Sequence, residues 1–177
     1  MTKTSFATRV AAAVAVLVTC AGASAQGTVQ PEIGWGQVSG GRVSHDGDFR
    51  RNAPALDAAL GYRWDNGVGV RTLWFGAFDI AKDLFVQTSP PTFREFWGVQ
   101  ATDNVPLGAK VDLTAGLGLG RASFDRGQPG DHVESTEGIV SAGLQYRPFT
   151  HFALELHFDF LTRTHERNLA LMAQVPF

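Results

Sequence analysis

The chain has 177 residues, a formal net charge of −2, 20 glycines, 13 phenylalanines and one cysteine. A near-neutral balance leaves no basic footprint for nucleic acid, and one cysteine cannot build a disulfide framework. Mean hydropathy is close to zero, at −0.04, so the apolar content is dispersed.

Lys3 and Arg9 make a positive start, residues 10–20 are apolar, and Ala23-Ser24-Ala25 is a small-x-small cleavage site. This three-part pattern predicts an export signal over residues 1–25, cut before Gln26. Its apolar run is too short for a spanning helix, which needs ~20 residues. Cys20 lies within the signal, so the mature chain is expected to carry no thiolate chemistry and no cysteine metal site. Residues 26–177 make one domain by length, and no segment of them reads as a transmembrane helix.

The mature chain alternates. Residues 29–38 set Val29, Pro31, Ile33 and Trp35 against Gln30, Glu32, Gly34 and Gly36, the period of two that sends side chains to opposite faces of a strand. Residues 39–51 are Gly-rich and charged and read as a long loop. A second strand, about 52–64, sets Leu56, Ala58, Leu60, Tyr62 and Trp64 against Asp57, Ala59, Gly61 and Arg63. Asp65-Asn66-Gly67 follows, and Asn-Gly predicts a tight hairpin with positive φ angles. The third strand, 68–78, alternates imperfectly, because Leu73 and Phe75 share a face with Arg71. Residues 79–92 form a second long loop, in which 84–88 is a candidate strand extension.

The fourth strand, 93–102, sets Trp97, Val99 and Ala101 against Arg94, Gly98, Gln100 and Thr102. After a turn at 103–108, the fifth, 109–124, sets Val111, Leu113, Ala115, Leu117 and Leu119 against Lys110, Asp112, Thr114, Gly116, Gly118 and Gly120. Three glycines on one face predict room for long partners such as Arg63 or Arg71. A third polar loop, 125–135, leads to the sixth strand, 136–146, with Val140, Ala142, Leu144 and Tyr146 outward. After a turn at 147–151 come the two clearest strands. Phe152, Leu154, Leu156, Phe158 and Phe160 oppose Glu155, His157 and Asp159. Beyond a break at 162–166, Leu169, Leu171, Ala173, Val175 and Phe177 oppose Asn168, Met172 and Gln174.

Eight strands with alternating long and short connections predict an all-β, eight-stranded antiparallel up-and-down transmembrane β-barrel with both termini on the periplasmic side. A periplasmic sandwich or lipocalin-like binder would need a polar outward face. Tyr62, Trp64, Tyr146, Phe149 and Phe152 fall near the short turns, where an aromatic girdle meets lipid headgroups.

On this architecture, and on the terminal LALMAQVPF, the mature chain resembles the small outer-membrane barrels of the OmpA-like and OmpX-like type. Leu171, Ala173, Val175 and Phe177 resemble the C-terminal signal that the outer-membrane assembly machinery recognises. The resemblance implies a monomer in the cell outer membrane, surrounded by lipid and lipopolysaccharide, with no cofactor.

The polar residues expected inside are Glu32, Asp57, Arg63, Arg71, Arg94, Lys110, Asp112, Glu155, His157 and Asp159. Their mixed signs predict a lumen filled by paired charges, since eight strands leave room only for side chains or one small ligand, and pairing offsets the cost of burial. That favours a structural, envelope or surface-interaction role over a large pore. Glu155-x-His157-x-Asp159 places a base between two carboxylates. It differs from the His-x-Ser motif of barrel lipid A deacylases, because Asp159 stands where their serine would, so no catalytic residue is assigned. His45-Asp46-x-Asp48 and Asp131-His132-x-Glu134 match no known metal-loop spacing, and no metal is assigned.

Overall fold

Residues of alternating character can satisfy their backbones only by pairing laterally, and in this chain the pairing closes on itself. The computed structural model describes residues 27–43, 47–49, 52–78, 92–125 and 132–177. The expected export signal and the candidate strand at 84–88 lie outside them. The strands are β1 (Gly27–Ser39), β2 (Gly41–Val43), β3 (Gly47–Phe49), β4 (Ala53–Trp64), β5 (Val68–Ala77), β6 (Thr92–Pro106), β7 (Val111–Asp125), β8 (His132–Phe149), β9 (Phe152–Leu161) and β10 (Arg167–Gln174). Eight of them form a closed antiparallel barrel in the order β1-β10-β9-β8-β7-β6-β5-β4, and β2 and β3 pair as a separate ribbon. Among the described residues, closure leaves none of these eight strands with an unpaired edge. The seam joins β1 to β10 from Ser39↔Arg167 to Glu32↔Gln174. It continues to the last residue, where Phe177 N donates to Val29 O at 2.9 Å.

The outer wall is apolar. Ile33, Trp35, Leu117, Leu119, Leu156 and Leu171 are each more than half exposed. Charged side chains on outward positions, among them Arg94, Glu95, Asp103, Arg121, Asp125, Glu134 and Arg167, lie toward the two ends of their strands. No helix among the described residues is long and apolar enough to cross a membrane, which leaves crossing by strands untouched. An exposed apolar belt of this extent, bounded by charge at both rims, is the surface a bilayer covers.

Several boundaries differ from the sequence reading. Gly67 has φ 92° while Asn66 stays at negative φ, and Gly67 N donates to Trp64 O at 3.0 Å. The connection is therefore a type I turn closed by a left-handed glycine, not a hairpin with two positive φ angles. β7 and β8 pair as far as Asp125↔His132, so residues 125 and 132–135 of the expected third loop belong to strands. The register of β6 shifts between Phe93 and Glu95. One extra residue there, Arg94, reverses the parity of the strand above it.

Candidate functional site

The lumen is the candidate site, and it has two layers. The lower layer, toward the short turns, centres on Arg71 of β5 and His157 of β9. Arg71 Nη2 donates to Glu32 of β1, and its Nη1 lies 3.2 Å from His157 Nε2. The histidine ring sits between its own strand neighbours, Nδ1 2.8 Å from Glu155 Oε1 and Nε2 2.9 Å from Asp159 Oδ1. The spacing of two along β9 makes this bracket, because residues 155, 157 and 159 all point inward.

Further strands complete the network. Thr114 Oγ1 donates to Glu155 at 2.7 Å, and Ser141 Oγ to Asp159 at 2.6 Å. Gln174 Nε2 reaches both Glu32 and Glu155, Gln145 Nε2 donates to Gln174, and Asn168 Nδ2 donates to Asp57. At the short-turn rim Arg147 Nη2 pairs with Asp112 Oδ2 at 2.8 Å. A cavity of about 30 Å³ adjoins Glu32, Arg63, Arg71, Gln100 and His157. That is room for about two water molecules, at about 10–15 Å³ each on this measure.

The upper layer is apolar. Val38, Ala55, Leu73, Phe75, Phe93, Phe96, Ala122, Phe124, Ile139 and Leu161 form one buried cluster. Phe75 stacks on Phe96 at 5.1 Å and on Phe93 at 5.5 Å, and Phe93 meets Phe124 edge-on at 5.6 Å. The glycines of β7 make this packing fit. A Cβ on Gly120 would collide with the Phe96 ring, and one on Gly118 with the Val99 carbonyl. The space therefore goes to Phe96 and Gln100 of β6, not to Arg63 or Arg71.

Of the polar residues expected inside, Glu32, Asp57, Arg71, Asp112, Glu155, His157 and Asp159 are buried in the lumen, and Arg63 is half-buried beside the cavity. Arg94 and Lys110 are exposed and belong to no lumen network. The register shift of β6 turns Arg94 out, and Lys110 precedes the first residue of β7 in the short turn. The sequence reading passed over Gln145, Ser141 and Arg147. The first two lie on the parity opposite the outward Val140 and Leu144, which would have found them. By sequence Arg147 falls in the turn expected at 147–151, whereas β8 runs on to Phe149.

The residues at the short-turn rim are set outward. Tyr62 meets Trp64 edge-on at 5.3 Å. Tyr146 and Phe149 are exposed, and Phe152 is partly buried. On β10 and the tail beyond it, Leu171, Val175 and Phe177 are exposed on the outer wall, with Ala173 half-buried between them. His45, Asp46 and Asp131 lie outside the described residues. Glu134 pairs with Arg121 at 3.0 Å, and no group of three or more His, Cys, Asp or Glu among the described residues is arranged to hold a metal ion.

The buried Ser141, Asp159 and His157 do not make a hydrolytic triad. Asp159 stands between the other two. A general base must itself reach the hydroxyl it activates, and here the carboxylate does so in place of the imidazole.

No protein-family model and no curated protein matches the chain. Its fold is that of small outer-membrane barrels of known structure. The attachment invasion locus protein Ail of Yersinia pestis, solved in complex with the heparin analogue sucrose octasulfate, is 19% identical, with 86% of this chain covering 99% of that one at a TM-score of 0.57. The N-terminal β-barrel domain of Pseudomonas aeruginosa OprF is 16% identical, with coverages of 86% and 100% and a TM-score of 0.57. Neisserial surface protein A is 17% identical, with coverages of 85% and 97% and a TM-score of 0.57.

Proposed function

We propose that residues 26–177 are an outer-membrane barrel with a closed lumen, serving an envelope or surface-interaction role and passing no large solutes. The observation that carries this reading is the double closure of the lumen, by a charge-paired layer below and an aromatic layer above. The apolar outer belt supports the location. With residues 1–25 removed as an export signal, the short-turn rim and both termini face the periplasm. Leu171, Ala173, Val175 and Phe177 then present the outward row that the assembly machinery reads, and Tyr62, Trp64, Tyr146, Phe149 and Phe152 lie at the inner headgroup level. The long connections face outside, where a surface partner is met; Ail, a barrel of this fold, has been solved in complex with a heparin analogue.

The test is fractionation followed by planar-bilayer recording. The protein should partition with outer membranes, migrate differently before and after heating, and give no large stable conductance. Recovery as a soluble periplasmic protein would refute the location, and a reproducible porin-sized current would refute the closed lumen.

A further inference from the structure

In the lower lumen Glu32 has Arg71, Glu155 and Asp159 have His157, and Asp112 has Arg147. Two carboxylates at the opposite rim have no such partner among the described residues. Glu137 of β8 is 0% exposed and Glu166, in the turn between β9 and β10, is 3% exposed. Among the described residues neither lies within ion-pair distance of a cationic side chain. Glu137 Oε2 accepts from the backbone N–H of Arg163 at 2.9 Å and of Thr164 at 3.2 Å. Glu137 Oε1 and Glu166 Oε2 are buried without a hydrogen-bond partner. The turn is closed by Leu161 N donating to Glu166 O at 2.9 Å and tied to β8 by Thr162 N donating to Gly138 O at 2.9 Å.

We propose that Glu137 and Glu166 form a proton-operated latch on the β9–β10 turn: with a proton on Glu166 the turn stays docked, and loss of that proton releases it. Two buried carboxylates close together cannot both ionise cheaply. Two backbone N–H groups, of Arg163 and Thr164, point at Glu137 Oε2. No donor among the described residues reaches Glu166 Oε2, and Glu166 keeps the proton. Burial, and after it the charge of Glu137, push the Glu166 carboxyl up to about 8. Among the described barrel residues, the other charged groups around the turn are directed elsewhere. Arg163, His165 and Arg167 are exposed, Asp57 and Asp159 are held by Asn168 and His157, and β1 above Glu32 carries no titratable side chain.

The sign follows from linkage. The docked state binds the proton more tightly than the released one, so docking is strongest below the ordinary value of 4.5 and weakens as pH rises to about 8. Release is feasible because Glu166 sits in a turn whose Thr162, Arg163 and His165 already face solvent.

The full chain folded in detergent micelles allows a test that does not depend on its location in the cell. Amide hydrogen exchange at Arg163 and Thr164 is compared between the parent and Glu166→Gln. From pH 5.5 to 8.5 the parent's rate relative to the variant should rise about tenfold or more. A ratio that stays constant would overturn the latch. So would a ratio whose pH dependence disappears on adding EDTA, since a metal ion would then occupy the pair in place of the proton. If the variant does not fold, carboxyl NMR of the parent decides: a Glu166 midpoint near 8 supports the latch, and one near 4.5 ends it.

Discussion

The two layers of the lumen occupy the same barrel and exclude solvent by different physics. The lower one is a network in which each member depends on the others: Arg71 touches Glu32 and His157, and His157 touches Glu155 and Asp159. The upper one is a set of rings and aliphatic groups in which no contact needs a particular partner, only volume. Charges inside a low-dielectric wall interact strongly when paired and are costly when a partner is lost. Apolar side chains lose stabilisation in proportion to the area and volume removed. The layers should therefore respond differently to the same kind of truncation.

The largest effect is expected at Arg71. Among the described residues, Arg71→Ala removes the only guanidinium within ion-pair distance of Glu32 and leaves that carboxylate buried, joined to Glu155 through Gln174. Breaking a buried pair from one side costs about 3–5 kcal/mol, so the variant should lose about 4 kcal/mol in urea unfolding from lipid vesicles. A loss below about 1 kcal/mol would mean that water or a neighbour compensates the charge and that the layer is not a dependent network.

Phe96→Ala is the matching truncation above. Phe96 is 0% exposed and stacks on Phe75, and a buried Phe→Ala change costs about 3 kcal/mol when the site cannot collapse. The backbones of β6 and β7 are already close here, because Gly98 and Gly120 both lie against the ring, which limits relaxation. The variant should keep the lower hydrogen bonds, so its His157 ring resonances should match the parent's while the unfolding midpoint falls.

The difference between the layers also explains what the sequence could reveal. Strand count and the in-or-out assignment of β9 and β10 follow from period alone, since Glu155, His157 and Asp159 alternate with Leu156 and Phe158. The upper layer was hidden because alternation was read as apolar outside and polar inside. Leu73 and Phe75 then looked like a defect in β5, although both are buried in the lumen. Phe93 and Phe96 are three apart, and no period of two can place both inside; the irregularity at Arg94 does so. The room made by Gly116, Gly118 and Gly120 was legible, but its occupants depend on register, which sets Gly118 opposite Gln100 and Gly120 opposite Gly98.

A double replacement sharpens the contrast. Glu32→Gln with Arg71→Met removes both charges at once and keeps comparable volume. Replacing a buried ion pair by less charged groups of similar size is often neutral, so the double variant should lie within about 1 kcal/mol of the parent, far from the single Arg71→Ala change. Agreement between double and single variants would assign the cost to lost packing and erase the distinction between the layers.

The smallest effect is expected at Arg94, where the sequence and the structure disagree most sharply. Read by period, Arg94 belongs to the lumen beside Gly98 and Gln100, and its truncation would cost as much as that of Arg71. In the structure the extra residue in β6 puts it on the exposed surface, while Phe93 and Phe96 on either side face inward. Exposed substitutions away from caps and networks usually stay within about 0.5 kcal/mol, and Arg94→Ala should do the same in the vesicle unfolding assay. The neighbouring Glu95→Ala serves as an internal control, since it removes the acceptor for Trp74 Nε1 at 3.0 Å and should cost about 1 kcal/mol. If Arg94→Ala were instead as damaging as Arg71→Ala, the parity of upper β6 would be reversed. Phe93 and Phe96 could not then both face the lumen, and the aromatic layer would lose the ring on which its packing is centred.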